Sequence, residues 1–309
     1  MAYRIAVVGA ANIDISATSN AILLPGDSNP GKVEQSFGGV GRNIAENLAR
    51  LDTQVSLVTA FGGDAFAALL KNQAQKVGLD ASHGLDCPTL SSSVYICVNQ
   101  PDGEINVAVS DMGICQMLSP AFLQKKLSMI NACDALVVEA NLTEEALGFL
   151  GLHVTVPIFA DSVSVQKARK LHGILPRLAG LKTNRREAER LTGLSIATRK
   201  DVVSAAEALH GLGVESVLLT LGAEGGFLSK GNARAFAPSQ VGEMINTTGC
   251  GDACLAGMVY AYLGGVDCQG ILASGMAMAG ICASSPFAVS PLLTPKRLAD
   301  DIAKTQEDE

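Results

Sequence analysis

No tryptophan occurs in the chain, aromatic residues make up only 4%, and positive charge is in deficit, with a formal net charge of −7 at neutral pH. That charge is spread along the length, which argues against a surface for nucleic acid or an anionic membrane. The eight cysteines include no CxxC pair, and several lie in apolar segments, as reduced core residues of a cytoplasmic protein would. The four histidines are scattered, with none at metal-ligand spacing, so a zinc site is not indicated. Long hydrophobic runs are also missing. The stretch 270–283 is interrupted by Gly275 and Gly280 and is too short to span a bilayer. The opening segment 1–15 reads as a first core strand rather than a signal peptide. No G-x-x-x-x-G-K-[ST] occurs, which excludes a P-loop kinase at the level of motif. No G-x-G-x-x-G follows the first strand, which disfavours a dinucleotide-dependent oxidoreductase.

What remains is a compact α/β enzyme, with 48% hydrophobic residues and 32 glycines over 309 residues, enough to build a real core. Apolar β-rich runs at 5–9, 54–60, 135–139, 157–161, 181–183 and 217–221 alternate with helical spacing at 42–51, 64–77, 143–150, 185–191 and 201–212. The C-terminal third reads as helices at 252–264, 268–283 and 294–306. Such alternation calls for a mostly parallel sheet between helices. Two segments break it. Residues 16–37 are rich in Ser, Asn, Pro and Gly, and 91–110 reads as two strands around Pro101-Asp102-Gly103. Both are expected to form a small β-lid on a single domain of 1–309.

Ligands of open α/β sheets bind beyond the carboxyl ends of the strands, so polar residues there carry the functional information. The run Thr247-Thr248-Gly249-Cys250-Gly251-Asp252 opens a helix, and small residues at 249–251 allow a tight turn whose free amides form an anion site. Asp252 would compete with an anion there, unless the anion is a transferring phosphoryl group and the carboxylate takes the proton of the attacking hydroxyl. A helix turn with a dipole-favoured Asp is the plainer reading. Asn12 and Asp14 end the first strand, two apart and on one side if the chain stays extended, as a grip on vicinal hydroxyls or as an Asx turn. Gly38-Gly39 with Asn43 form a glycine loop opening a helix. Asn184-x-x-Glu187 matches a capping box and could equally present Glu187 to a magnesium–water cluster. Thr220, Gly222 and Gly225 end a strand with a glycine turn suited to a nucleotide lying on backbone.

In this order, these motifs resemble the ribokinase-like (PfkB) family of carbohydrate and nucleoside kinases across essentially the whole chain. The segments 27–32 and 38–49 resemble its pseudouridine kinase subgroup. The resemblance implies ATP-dependent phosphorylation of a nucleoside at the ribose 5′-hydroxyl, pseudouridine in that subgroup, by a cytoplasmic enzyme. Asp252 would be the catalytic base, and the amides of Gly249, Cys250 and Gly251 the anion hole. Asn12, Asp14 and Asn43 would hold the ribose hydroxyls, backed by Gly38 and Gly39, with Asp111 of the lid accepting a hydrogen bond from the base. Asn184, Thr220, Gly222 and Gly225 would line the ATP site, and Glu187 would organise Mg2+ through water. A homodimer through the lid fits the same resemblance. Cys250 stands where Ala is common. Asn246 replaces an Asp that helps bind K+ in many members, leaving that ion open, and Asp161-Ser162 replaces a frequent Asp-Pro. Kinases of the family acting on adenosine, inosine or ribose are the nearest alternatives. A catalytically idle ligand sensor is the other, against which the retained Asp252 speaks.

Overall fold

The structure is a computed structural model that describes residues 2–240 and 244–307. Its large sheet has eight strands, in the spatial order Ala233–Ala237, Gly226–Lys230, Ser216–Thr220, Leu178–Asn184, Ile158–Asp161, Ala135–Glu139, Arg4–Val8 and Gln54–Val58. The pairings from Ser216–Thr220 through Gln54–Val58 are parallel, and Gly226–Lys230 pairs antiparallel with both Ser216–Thr220 and Ala233–Ala237. The parallel strands are continuous apolar runs because both faces are covered. Ala6, Val8, Leu136 and Val138 pack into one core with the helices Glu144–His153, Arg185–Thr192 and Arg199–Gly211. Their neighbours Ile5, Val7, Ala135 and Val137 point the other way, against Val40–Ala49, Cys250–Leu263 and Cys268–Ala283. The α/β class with a mostly parallel sheet between helices is therefore what the alternation foretold.

A second sheet has four strands, ordered Gly31–Gly38, Asn12–Ser19, Ser93–Asn99 and Ile105–Asp111. Register gives it two unlike faces. Ser36, Asp14, Tyr95 and Ser110 lie opposite one another on one face, and Ile15, Ile96 and Val109 on the other. Asn12 and Asp14 therefore do not end the first strand. That strand stops at Val8, and a separate one begins at Asn12 in the other sheet. The break is at Gly9-Ala10-Ala11, where the Ala10 amide turns to donate to Glu139 Oε1 at 2.7 Å.

The hairpin at 226–237 was not legible, because Gly225-Gly226 reads as the end of a strand rather than the start of its return. The short parallel pair Ala60–Gly62 and Leu85–Cys87 was also missed. Among the described residues no helix is long and apolar enough to cross a membrane.

Candidate active site

The carboxyl ends of adjacent parallel strands place Glu139, Asp161 and Asn184 side by side. Over them sits the start of Cys250–Leu263. Gly249 caps this helix at φ 85, in the left-handed region, and a Cβ there would collide with the Ala288 carbonyl. Only glycine permits that turn. Asn246 ties it down, donating to the Pro286 carbonyl at 3.2 Å and accepting from the Thr248 amide at 2.9 Å. The first-turn amides of a helix lack intrahelical partners and form an anion site. Cys250 is the partial exception, since its amide leans on the Thr247 carbonyl at 3.3 Å.

Asp252, in that first turn, is buried and accepts a hydrogen bond from Asn43 Nδ2 at 2.7 Å. Burial pushes its carboxyl up to about 7, reinforced by Asp161 and opposed by Asn43 and Lys182. Lys182 is the cation of the site. Its ammonium pairs with Asp161 at 3.1 Å and lies 2.5 Å from where a Gly251 Cβ would be, directly under the anion turn. Burial disfavours its charge, but Asp161, Glu187 and Asp252 together raise its pKa above the usual lysine value. Glu139 is fully buried and is likewise pushed up to about 7 by burial, against donation from Asn141 and Ala10. The sequence reading gave Lys182 and Glu139 no role. A charged residue at the end of an apolar strand was the signal available for both.

On the side of the small sheet, Asn12 donates to Asp14 at 2.5 Å. Gly38 lacks the Cβ that would strike the Asp14 carboxylate, and Gly39 caps Val40–Ala49 at φ 100. Burial raises the pKa of Asp14, countered by Asn12 and Arg42. Asn43 carries a buried Oδ1 that has no hydrogen-bond partner. Burial lowers the pKa of the Arg42 guanidinium, opposed by Glu46, with which it pairs at 2.9 Å, and by Asp14 and Asp252. Asp111 is not brought to them. It lies opposite Val94, in the register of Ile13, and lines a separate cavity with Ile15, Ile96 and Val109 on the far face. A one-residue step along a strand reverses the face, and the sequence did not give the register. Tyr95 and Ser110 take the face that Asp111 was expected to occupy.

On the opposite side, Asn184 and Glu187 form the capping box in full, with Asn184 Nδ2 also donating to Glu187 Oε1 at 2.7 Å. Ser162 Oγ donates to Glu187 Oε2 at 2.6 Å, a bond that a proline at 162 could not make. The next residue, Val163, is held at φ 62, a strain of about 1–3 kcal/mol for a β-branched residue. Among the described residues no three His, Cys, Asp or Glu are grouped to hold a metal directly. Thr220 pairs with Asn184 across the sheet. A cavity of about 310 Å³ brings Thr220, Gly222 and Gly225 to Cys250 and Gly251. Its far wall comes from Met276, Ala279 and Gly280. In sequence those small residues are indistinguishable from close helix packing.

A family model for pfkB family carbohydrate kinases matches residues 2–295. The chain is 35% identical over 265 residues to pseudouridine kinase of Escherichia coli K12, covering 85% of this chain and 84% of that one. It is 27% identical to ribokinase of Haemophilus influenzae, covering 95% and 96%. The structure of Arabidopsis thaliana ribokinase complexed with ribose and ATP superposes with a TM-score of 0.88 at 22% identity, covering 98% and 99%. The chain thus belongs to the pfkB family of carbohydrate kinases, as a sugar or nucleoside kinase of ribokinase fold.

Proposed function

We propose that the chain transfers the γ-phosphoryl group of ATP to the ribose 5′-hydroxyl of a nucleoside, pseudouridine in preference to uridine. The observation that carries this reading is that a buried carboxylate, Asp252, and a buried cation, Lys182, adjoin an anion turn at 249–251 whose Cys250 and Gly251 line one cavity. ATP lies in that cavity along Thr220, Gly222 and Gly225, with Asn184 beside them. Its transferring phosphoryl group rests on the turn amides, while Lys182 offsets the charge that develops. Asp252 takes the proton of the 5′-hydroxyl, and a base poised near pH 7 suits that task. Asn43 holds Asp252 in place and offers its free Oδ1 to a ribose hydroxyl. Asp14, oriented by Asn12 and approached closely by Gly38 and Gly39, accepts from the others.

Magnesium fits only through water. The Glu187 carboxylate already accepts from Ser162 and Asn184, and Mg2+ commonly keeps several waters when bound by a carboxylate and phosphates. When bound, it would neutralise charge on the phosphate oxygens.

The small sheet acts as the lid, its polar face toward the nucleoside. Pseudouridine carries an extra ring N–H, and the Ser110 and Tyr95 hydroxyls are the acceptors that uridine would leave empty. Once the nucleoside covers them, a hydroxyl left unpaired discriminates by orders of magnitude. The opposite face exposes Val33, Ile96, Val107 and Val109, and a second copy of the chain covers it. ATP consumption measured with Mg2+ across pseudouridine, uridine, adenosine, inosine and ribose tests the reading. Equal rates for pseudouridine and uridine, or faster ribose turnover, would remove the nucleoside assignment and leave the family membership standing.

A further inference from the structure

The anion turn holds two cysteines from different helices. Cys250 opens Cys250–Leu263, and Cys282 lies in the last turn of Cys268–Ala283. The Ile245 and Asn246 amides donate to the Ala283 carbonyl at 2.8 and 3.1 Å, and Cys250 Sγ donates to the Asn246 carbonyl at 3.7 Å, so both sulfurs lie against one turn. Cys282 is 1% exposed and packs its sulfur against the carbonyls of Thr248 at 3.5 Å and Ala288 at 3.3 Å. Cys250 is more open and lines the cavity assigned to ATP. A small oxidant therefore reaches Cys250 first. At a helix N-terminus its thiolate is favoured. The neighbouring Cys282 thiol holds this one below its usual value although burial opposes it, while the Cys282 thiol is held well above. An accessible, activated thiol beside a buried resolving thiol is the arrangement that peroxide chemistry requires.

We propose that Cys250 and Cys282 are a peroxide-sensitive pair whose disulfide switches the anion turn off. The Cys250 thiolate attacks hydrogen peroxide and the O–O bond breaks, leaving a sulfenic acid and releasing hydroxide, which is protonated to water. The Cys282 sulfur then attacks the Cys250 sulfur, and the S–O bond breaks. The departing oxygen leaves as water with the Cys282 thiol proton. Two thiols are oxidised and one peroxide is reduced to water. An S–S bond of about 2.05 Å is far shorter than any non-bonded contact between two sulfurs. Closing it draws the first turn of Cys250–Leu263 toward Cys282 and carries the anion-site amides out of position.

The test treats the full chain with hydrogen peroxide, with and without ATP, then maps chymotryptic peptides by mass. Tyr260 and Tyr262 lie between the two cysteines, so cleavage there separates them unless they are linked. The expected result is a Cys250–Cys282 link, slowed by ATP, with phosphoryl transfer lowered about 10²-fold and restored by dithiothreitol. Cys282→Ser keeps a donor toward Thr248 and Ala288, so it should retain activity but lose the thiol-reversible inactivation. If that variant does not fold, mapping of the natural chain decides alone. Inactivation without the link, or the link without inactivation, would overturn the proposal. The link and its protection by ATP are read by mass, so they stand or fall independently of which nucleoside is phosphorylated.

Discussion

At the carboxyl ends of the large sheet, Glu139, Asp161 and Lys182 are no more than 7% exposed, whereas the small sheet leaves its Lys32–Glu34 pair in water at 74% and 64% side-chain exposure. Buried charges persist only when their partners are fixed, and these are fixed by strand ends, a capped helix and a glycine turn. An exposed pair contributes little to stability. In the proposed reading the large sheet does the chemistry on a rigid frame, and the small sheet chooses and covers the substrate.

The largest effect should come from the buried side. Asp252→Asn keeps the shape and loses the proton acceptor, so turnover should fall by about 10²–10⁴ while nucleoside binding survives. Activity of the natural chain should rise as pH increases through about 7, because the carboxyl must lose its proton to act. Stability should run the opposite way. The folded-state pKa lies above the ordinary value of 3.8, so the contribution of this group is present below 3.8 and lost as pH rises through about 7. Thermal melts across that range should therefore fall less for Asp252→Asn than for the natural chain. Near-normal turnover in the variant would break the division of labour between the two sheets.

On the small sheet, Asp14→Ala should cost about 2–4 kcal/mol in nucleoside binding, through unpaired ribose hydroxyls. Comparing ribonucleoside with its 2′-deoxy analogue checks it. A natural chain that binds both alike would remove Asp14 from the sugar.

Glu187→Gln separates cap from cation organiser. As a cap the change should cost about 1 kcal/mol of stability, read by melting temperature. As an organiser it should raise the magnesium requirement. A destabilised variant with an unchanged magnesium titration would return Glu187 to the frame alone.

The smallest effect on chemistry is expected from Val109→Lys on the outer face of the small sheet. A charge there should shift sedimentation from dimer to monomer and leave monomer turnover nearly unchanged. Unaltered sedimentation would mean that this face meets no second copy.

Motif residues were legible where chemistry demands a special backbone. Gly38, Gly39 and Gly249 announce close approach or positive φ, and a carboxylate after such a turn announces itself. Register was not legible. Asp111 and Ser110 look equally suitable in sequence, yet pairing with Val94 and Tyr95, respectively, puts them on opposite faces. The Ser162 hydroxyl acquired meaning only when Glu187, 25 residues on, came within 2.6 Å of it.

The sequence by itself determined the α/β alternation, the anion turn, the capping box and the family resemblance, because each rests on local spacing or local backbone demands. Tertiary structure decided which buried charges meet. Asn43 reaches Asp252 across 209 residues, and Lys182 arrives beneath Gly251 from the strand Leu178–Asn184. The physical reason is that electrostatics in a buried site depend on distance and desolvation, and both are set by how strand ends and helix starts pack rather than by their order along the chain.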